Sequence, residues 1–393
     1  MTTSNQKNIP ALRFKEFDGF YLLSKLSSIL DRYSEKNKDE EFSINDILSL
    51  SVRCGIVSRK KLLEDRYEKV NHLNYIKTRV GDFVYGKSIS ASCPYGVFKA
   101  NNYTDGLLST LYYTFKVRKN IIPTYLDYYF SHLNRADNFL KKYVLVGARY
   151  ITADVNYILS GEIFIPSKKE QQKVARFLTA IDQKINQLSR KVALQERYKK
   201  GVTQKLFSQE LRFKDADGRD FADWEVKKLG DVCNIQKGKQ LNRAELTDIG
   251  AYPTISGGIN PSGYTDKWNE LEDSIIISEG GNSCGYVNFI RTKFWCGGHC
   301  YILKGINENI DNIYLYHYLK HTESKIMSLR VGSCLPNIQK KDIKNHKIYF
   351  PIFPEQQKIA HFLSQLDEQI QQTRQQLAHL QDYKKGLLQQ LFV

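Results

Sequence analysis

The segment Glu170-Gln171-Gln172-Lys173-Val174-Ala175-Arg176-Phe177-Leu178 returns as Glu355-Gln356-Gln357-Lys358-Ile359-Ala360-His361-Phe362-Leu363, 185 residues later and without a gap. The same offset carries Asp182 to Asp367, Ile185 to Ile370, Tyr198-Lys199-Lys200-Gly201 to Tyr383-Lys384-Lys385-Gly386, and Leu206-Phe207 to Leu391-Phe392. A chain that repeats itself over this length is expected to fold as two structurally equivalent halves. The repeat starts upstream of these segments, with Val146-Gly147 against Val331-Gly332, Ile158 against Ile343, Ile163 against Ile348 and Pro166 against Pro351. A looser echo opens each half, Leu12-Arg13-Phe14-Lys15 against Leu211-Arg212-Phe213-Lys214. Tyr21, Leu23, Lys25 and Leu26 then answer Trp224, Val226, Lys228 and Leu229. Residues 30–140 and 230–325 match poorly. The pattern describes one frame, used twice, holding two different heads.

The repeated segments read as long helices. Leu178, Ile181, Ile185, Leu188 and Val192 fall at steps of three and four. So do Leu363, Leu366, Ile370, Thr373, Leu377 and Leu380, with Leu387 and Leu391 further on. Such steps put a narrow apolar seam on one side of a helix, as in a coiled coil. About 40 residues give each helix a length of about 60 Å. Pro166 and Pro354 stand where a helix begins and a proline does no harm. Two seams of one kind are expected to pack on each other as an antiparallel pair, with a pseudo-two-fold relating the halves. The alternative is that each helix packs on its own head.

Charge points to a polyanion. The chain carries 58 Lys and Arg against 42 Asp and Glu, a formal +16, and such an excess suits nucleic acid. Residues 168–207 hold eleven Lys and Arg against three carboxylates, whereas residues 355–393 are balanced at four each. The central helix, through Lys184, Arg190 and Lys191, is therefore expected to lie nearer the phosphates. No apolar run approaches the roughly 20 residues of a spanning helix, and the first residues lack the apolar core of a signal peptide. Seven cysteines at unrelated spacings read as reduced thiols, so a cytoplasmic protein is expected.

No catalytic constellation stands out. Gly280-Gly281-Asn282-Ser283-Cys284-Gly285 lacks the lysine of a phosphate loop. Asn260-Pro261-Ser262-Gly263-Tyr264 reads as a turn. Glu323-Ser324-Lys325, with Asp311 upstream, is half of a nuclease carboxylate–lysine pattern but falls in a helical stretch. Cys296, His299 and Cys300 are close in sequence, yet a zinc site needs a fuller ligand set; strand cysteines are the simpler reading. The heads look mixed α/β. Asp82-Phe83-Val84-Tyr85 and Ser274-Ile275-Ile276-Ile277 are strand-like, polar small-residue loops follow, and helical stretches around 122–142 and 310–329 close each head.

The duplicated Glu-Gln-Gln-Lys-Val/Ile-Ala-x-Phe-Leu motif with its following Asp, and the opening Pro10-Ala11-Leu12-Arg13-Phe14, resemble the specificity subunits of type I restriction–modification systems. The resemblance covers the chain in order, with Phe353-Pro354 standing where the first copy has Lys168-Lys169. It implies an α/β (α+β) fold with a target recognition domain at 1–163, a central conserved helix at 164–208, a second recognition domain at 209–349 and a C-terminal conserved helix at 350–393. It further implies a subunit without catalysis of its own. Each head would read half of a split, asymmetric target in double-stranded DNA, and the helix pair would set the spacer. Two methyltransferase subunits, using S-adenosylmethionine, would dock on the frame, and two restriction subunits, using ATP and Mg, would join them. No membrane role is implied.

Candidate DNA contacts are drawn from the polar loops. They are Lys87, Ser88, Ser90, Asn101, Asn102, Arg149 and Tyr150 in the first head, and Lys237, Lys239, Gln240, Ser256, Asn260, Asn282, Ser283, Arg291 and Lys293 in the second. Arg or Lys suits guanine and Asn or Gln adenine, each worth about 1–3 kcal/mol of discrimination. The expected helix-pair interface is Leu178, Ile181, Ile185, Leu188 and Val192 against Leu363, Leu366, Ile370, Leu377 and Leu380. Two other classes stay open: a coiled-coil scaffold, which leaves two divergent heads unexplained, and an RNA-binding module, which would stack its many Tyr and Phe on single strands.

Overall fold

Both long helices form where the three-four pattern runs. The central helix spans Lys168–Phe207 and the C-terminal helix Phe353–Gln390. They start at equivalent positions even though Pro354 sits in the first turn of the second, where no intrahelical hydrogen bond is lost. The computed structural model describes residues 9–51, 55–62, 71–87, 93–146, 151–152, 154–332 and 336–393. Its contacts divide the chain into two units, Met1–Ser189 with Gln375–Val393, and Arg190–Arg374. The division falls inside the two long helices. Each end of each helix is packed into a head.

In the first unit, four antiparallel strands lie in the order Leu30–Tyr33, Tyr112–Val117, Phe83–Gly86, Val97–Ala100. Phe83 and Tyr85 face the main core, and Val84 faces a smaller cluster with Leu48, Ile56 and Leu108. Burial on both faces is why this strand is apolar without alternation. The helix Pro123–Ser131 buries Tyr125, Leu126 and Phe130, and Phe130 meets Phe83 and Phe98 ring to ring. A short strand, Leu22–Lys25, pairs antiparallel with Glu162–Ile165, which leads into the central helix. Val174, Ala175, Leu178 and Ile181 from that helix share the core with Leu387, Leu388, Leu391 and Phe392 from the end of the C-terminal helix.

The second unit repeats this plan from a different head sequence. Its strands run Asn234–Lys237, Cys300–Lys304, Ser274–Ser278, Val287–Ile290, again all antiparallel. Ile275 and Ile277 face the main core, and Ile276 faces a cluster with Ile255 and Phe294. The helix Asn312–His321 buries Tyr314, Leu315, Tyr318 and Leu319. Glu225–Lys228 pairs with Lys347–Phe350 ahead of the C-terminal helix. Ile359, Ala360 and Leu363 from the start of that helix meet Val202, Leu206 and Phe207 from the end of the central one. Each of these is the 185-residue equivalent of a residue in the first unit's core.

The helices pair antiparallel within each unit. In the second, Arg374 reaches Glu196 at 2.5 Å and Lys199 reaches Asp367, so one helix ascends as the other descends. In the first, Lys384 reaches Asp182 at 2.5 Å. Leu178, Ile181, Leu188, Leu363 and Ile370 are buried, while Ile185, Val192, Leu366, Leu377 and Leu380 are half-buried. Among the described residues, no helix is long and apolar enough to cross a membrane.

The repeated Glu-Gln pair joins helix to head. Glu170 is buried (1% exposed) and accepts two hydrogen bonds from Arg13, both 2.8 Å, and one from the Tyr21 hydroxyl at 3.0 Å. Glu355 (0% exposed) accepts from Arg212 at 3.1 and 2.7 Å. Such bidentate, charge-assisted pairs are the strong ones. Gln171 accepts from the Ile122 amide at 2.9 Å and donates to the Pro166 carbonyl at 3.0 Å. Gln356 does the same with the Asp311 amide at 2.9 Å and the Pro351 carbonyl at 2.8 Å. The motif is a structural clamp whose partners are the opening Arg and the first turn of each head helix.

Candidate nucleic-acid interface

In the second head, several loops meet over the segment Cys296–Cys300. The Gly238 amide donates to the Cys300 carbonyl and the Lys239 amide to the Cys296 carbonyl, both at 2.9 Å. The Gly297 amide donates to the Ile255 carbonyl, and the Glu279 amide to the His299 carbonyl, both at 2.8 Å. The backbones approach so closely that a Cβ on Gly238 would lie 2.3 Å from the Gly297 carbonyl oxygen. That contact explains glycine at 238, and the Ser256 side chain, 2.7 Å from where a Cβ on Gly297 would lie, explains glycine at 297. The convergence brings together Lys237, Lys239, Gln240 and Ser256. It also adds His299, which is exposed and which the sequence offered only as a metal ligand.

The charges there are not equivalent. Lys237 is held by the buried Glu279 at 2.7 Å, and Glu279 also accepts from the Tyr301 hydroxyl at 3.0 Å. Burial, then Glu279, pushes the Tyr301 phenol up to about 12. Lys239 is exposed, and its carbonyl is fixed by the Trp295 indole at 2.8 Å. It forms no ion pair among the described residues, so its charge is free for a polyanion. Gln240 is exposed and Ser256 half-buried. Asn282 is exposed and Ser283 half-buried at the tip of a braced loop, closed by the Gly285 amide on the Ser278 carbonyl at 2.8 Å. Asn260 is exposed in the bend between the strands Tyr252–Ile255 and Gly263–Thr265.

Arg291 and Lys293 each lie near an aromatic ring. Lys293 lies 4.6 Å from the centre of the Trp268 ring, and Arg291 5.7 Å from that of Phe289. Arg291 lines a cleft of about 850 Å³ with Lys199, Lys200, His317 and Asp367. Burial pushes His317 down to about 4, with Lys199 adding to the effect.

In the first head, Lys87 follows the strand Phe83–Gly86 and places its ammonium 3.9 Å from the centre of the Tyr113 ring. Arg32, exposed, lies over the same ring at 5.0 Å. Arg32 carries no polar-loop signal in the sequence, because it sits in a strand. Asn102 is exposed, but Asn101 is fully buried. The Asn101 amide donates to the Thr104 carbonyl at 2.9 Å and accepts from the Tyr103 amide at 3.2 Å. It closes a turn and is set aside as a DNA contact, since both ends of its amide are already paired. Ser88, Ser90, Arg149 and Tyr150 lie outside the described residues.

The alternative chemistries find structural duties. Asp311 caps its helix by accepting from the Tyr314 amide at 2.8 Å. Glu323 accepts from the Val287 amide at 2.8 Å and from Lys320 at 2.6 Å. Cys296 and Cys300 are buried strand residues, and the Cys300 sulfur accepts from the Gly257 amide at 3.0 Å. Among the described residues, no group of three or more His, Cys, Asp or Glu could hold a metal ion.

Residues 222–382 match the family described as the type I restriction modification DNA specificity domain. A Mycoplasma pneumoniae protein assigned as a type I specificity subunit is 35% identical over 152 residues, 38% of this chain and 40% of that one. A Methanocaldococcus jannaschii protein, assigned as the type I restriction enzyme MjaX specificity subunit, is 27% identical over 288 residues, 69% of this chain and 67% of that one. The fold matches the crystal structure of a type I restriction–modification S subunit from M. genitalium with a TM-score of 0.68. That match has 17% identity and covers 98% of this chain and 99% of the other.

Proposed function

We propose that the chain, whose residues 222–382 match the type I restriction modification DNA specificity domain and which is similar to type I specificity subunits, is the DNA-reading subunit of a type I restriction–modification complex. Each head reads one half of a split, asymmetric duplex target. The antiparallel helices set the spacer and dock two methyltransferase subunits, with two restriction subunits joining the full assembly. Catalysis resides in those partners, together with S-adenosylmethionine, ATP and Mg. The chain itself orients them on DNA.

One observation carries the reading. The same clamp, the same strand order and the same helix-end core recur in both units, while the loops that converge on the outer strands differ in sequence. A repeated frame around two divergent heads suits a molecule that recognises two different short sequences at a fixed separation. In the first head Lys87, Arg32 and Asn102 are the candidate contacts. In the second they are Lys239, Gln240, Ser256, Asn282 and His299, with Lys237 held in reserve by Glu279. The polar groups suit base edges, and the free cations suit phosphates.

The test is genome-wide adenine methylation in cells that carry the chain with its methyltransferase subunit, against cells lacking this chain alone. A bipartite motif that disappears with the deletion is the expected result, with half-sites about one helical turn apart. Unchanged methylation with an assembled complex overturns the proposal and leaves a scaffold or an RNA-binding module.

A further inference from the structure

Asp182 and Asp367 are equivalent under the 185-residue repeat, and each stands where three elements meet. Asp182, on the central helix, accepts from Lys384 of the C-terminal helix at 2.5 Å through one oxygen. Through the other it accepts from the Tyr128 hydroxyl, on the head helix Pro123–Ser131, at 2.7 Å. Tyr128 also lies 3.3 Å from the Thr179 hydroxyl. In the second unit, Lys199 pairs with one oxygen of Asp367. His317, on the head helix Asn312–His321, lies 4.0 Å from the other and 3.3 Å from the Ser364 hydroxyl. Thr179 and Ser364 are themselves repeat equivalents, as are Lys384 and Lys199. The clamp at Glu170 or Glu355 ties a head to the beginning of a helix. A second tie one stretch further along that helix removes the remaining freedom to pivot.

We propose that Asp182 and Asp367 are positioning residues that lock each head at a set angle on the helix pair, and thereby set the spacer length the protein accepts. The inference rests on the DNA-reader function proposed above. The two latches are unequal. The first is a short, charge-assisted hydrogen bond. The second is a longer contact that borders the 850 Å³ cleft lined by Lys199, His317 and Asp367. The second head is therefore the more adjustable of the two.

The test uses the full chain assembled with its methyltransferase subunits, on duplexes carrying the mapped target with its native spacer or with one base pair fewer or more. Asp182→Asn and Tyr128→Phe should each reduce the preference for the native spacer by about tenfold, as expected for loss of a hydrogen bond to a charged group. Penalties for mismatches within a half-site should stay unchanged. Asp367→Asn should reduce the preference less. Tyr128→Phe removes only a hydroxyl and serves if Asp182→Asn fails to fold. An unchanged spacer preference in a folded variant overturns the proposal. So does an equal loss of affinity for all three spacers, which marks a merely structural role. An unmodified complex that selects no split target instead refutes the DNA-reader function, and the latch proposal falls with it.

Discussion

Replacing Arg212 by Met tests the buried clamp most directly. Among the described residues Arg212 supplies both hydrogen bonds received by the Glu355 carboxylate, and Glu355 has no exposed surface. Met keeps much of the aliphatic volume but strands the carboxylate. Removing one partner of a buried pair costs about 3–5 kcal/mol, most of it the penalty of the orphaned charge. All three tryptophans, Trp224, Trp268 and Trp295, lie in the second unit. Thermal unfolding followed by tryptophan fluorescence therefore reads the affected region. For a unit of this size each kcal/mol moves Tm by about 2–4 °C, so a shift on the order of 10 °C is expected. The companion Arg13→Met should be milder by about 1.5 kcal/mol, because the Tyr21 hydroxyl still serves Glu170. Combining Arg212→Met with Glu355→Leu should recover most of the loss, since an apolar pair leaves no charge to solvate. A single variant within about 1 kcal/mol of the parent, or a double variant no better than the single, refutes the reasoning.

Reversing Lys184, Arg190 and Lys191 to Glu, all three exposed and outside any ion pair among the described residues, should flatten the slope of log affinity against log salt by about 1–3, near 0.9 for each phosphate no longer neutralised; an unchanged slope removes the central helix from the DNA path. His317 has a folded pKa of about 4 against its ordinary 6.5. Its neutral form favours the folded state, so this contribution is complete above pH 6.5 and is lost as pH falls toward 4, at a cost of about 3 kcal/mol. His317→Tyr, the residue type its counterpart Tyr128 provides, should abolish that acid-dependent part of the stability loss; parallel pH–Tm curves for parent and variant contradict it. Phe392 packs on Tyr125 and Tyr129 at ring separations of 5.2 and 5.9 Å, with Arg135 over its face. Phe392→Ala should cost about 3–5 kcal/mol, read as a midpoint shift by far-UV circular dichroism, and a shift equivalent to under about 1 kcal/mol argues against that packing.

The helices and their antiparallel pairing were legible in the sequence because a period of three and four residues is a local signal, and the repeat supplied it twice. The duty of the Glu-Gln pair was not legible. The partner of Glu170 is Arg13, far away in the chain, and only the joint recurrence of Arg212 with Glu355 hints at the pairing. The heads were readable as strands and helices, but their common strand order was hidden. A sheet buried on both faces needs only apolar residues at its centre, so Phe83-Val84-Tyr85 and Ile275-Ile276-Ile277 fill the same place without resembling each other. Polar type alone misled at Asn101, where a loop asparagine proved to be an internal brace. It gave no view of Lys237 either, whose counter-ion Glu279 comes from another strand end. His299 and Arg32 became candidates only when the fold exposed them.

The core of the first unit has a consequence for how the protein is made. The second unit is one uninterrupted stretch, Arg190–Arg374, whereas the first needs Gln375–Val393 to be complete. Domains usually mature in the order in which they leave the ribosome. Here the head synthesised first must wait, with Tyr125, Tyr129 and Leu178 lacking Leu387, Leu391 and Phe392, until the last helical turn has been translated. The earlier-born head is the later to mature. An interrupted translation that spares every residue of its sheet still leaves its apolar side open, in the state most prone to capture by chaperones or proteases.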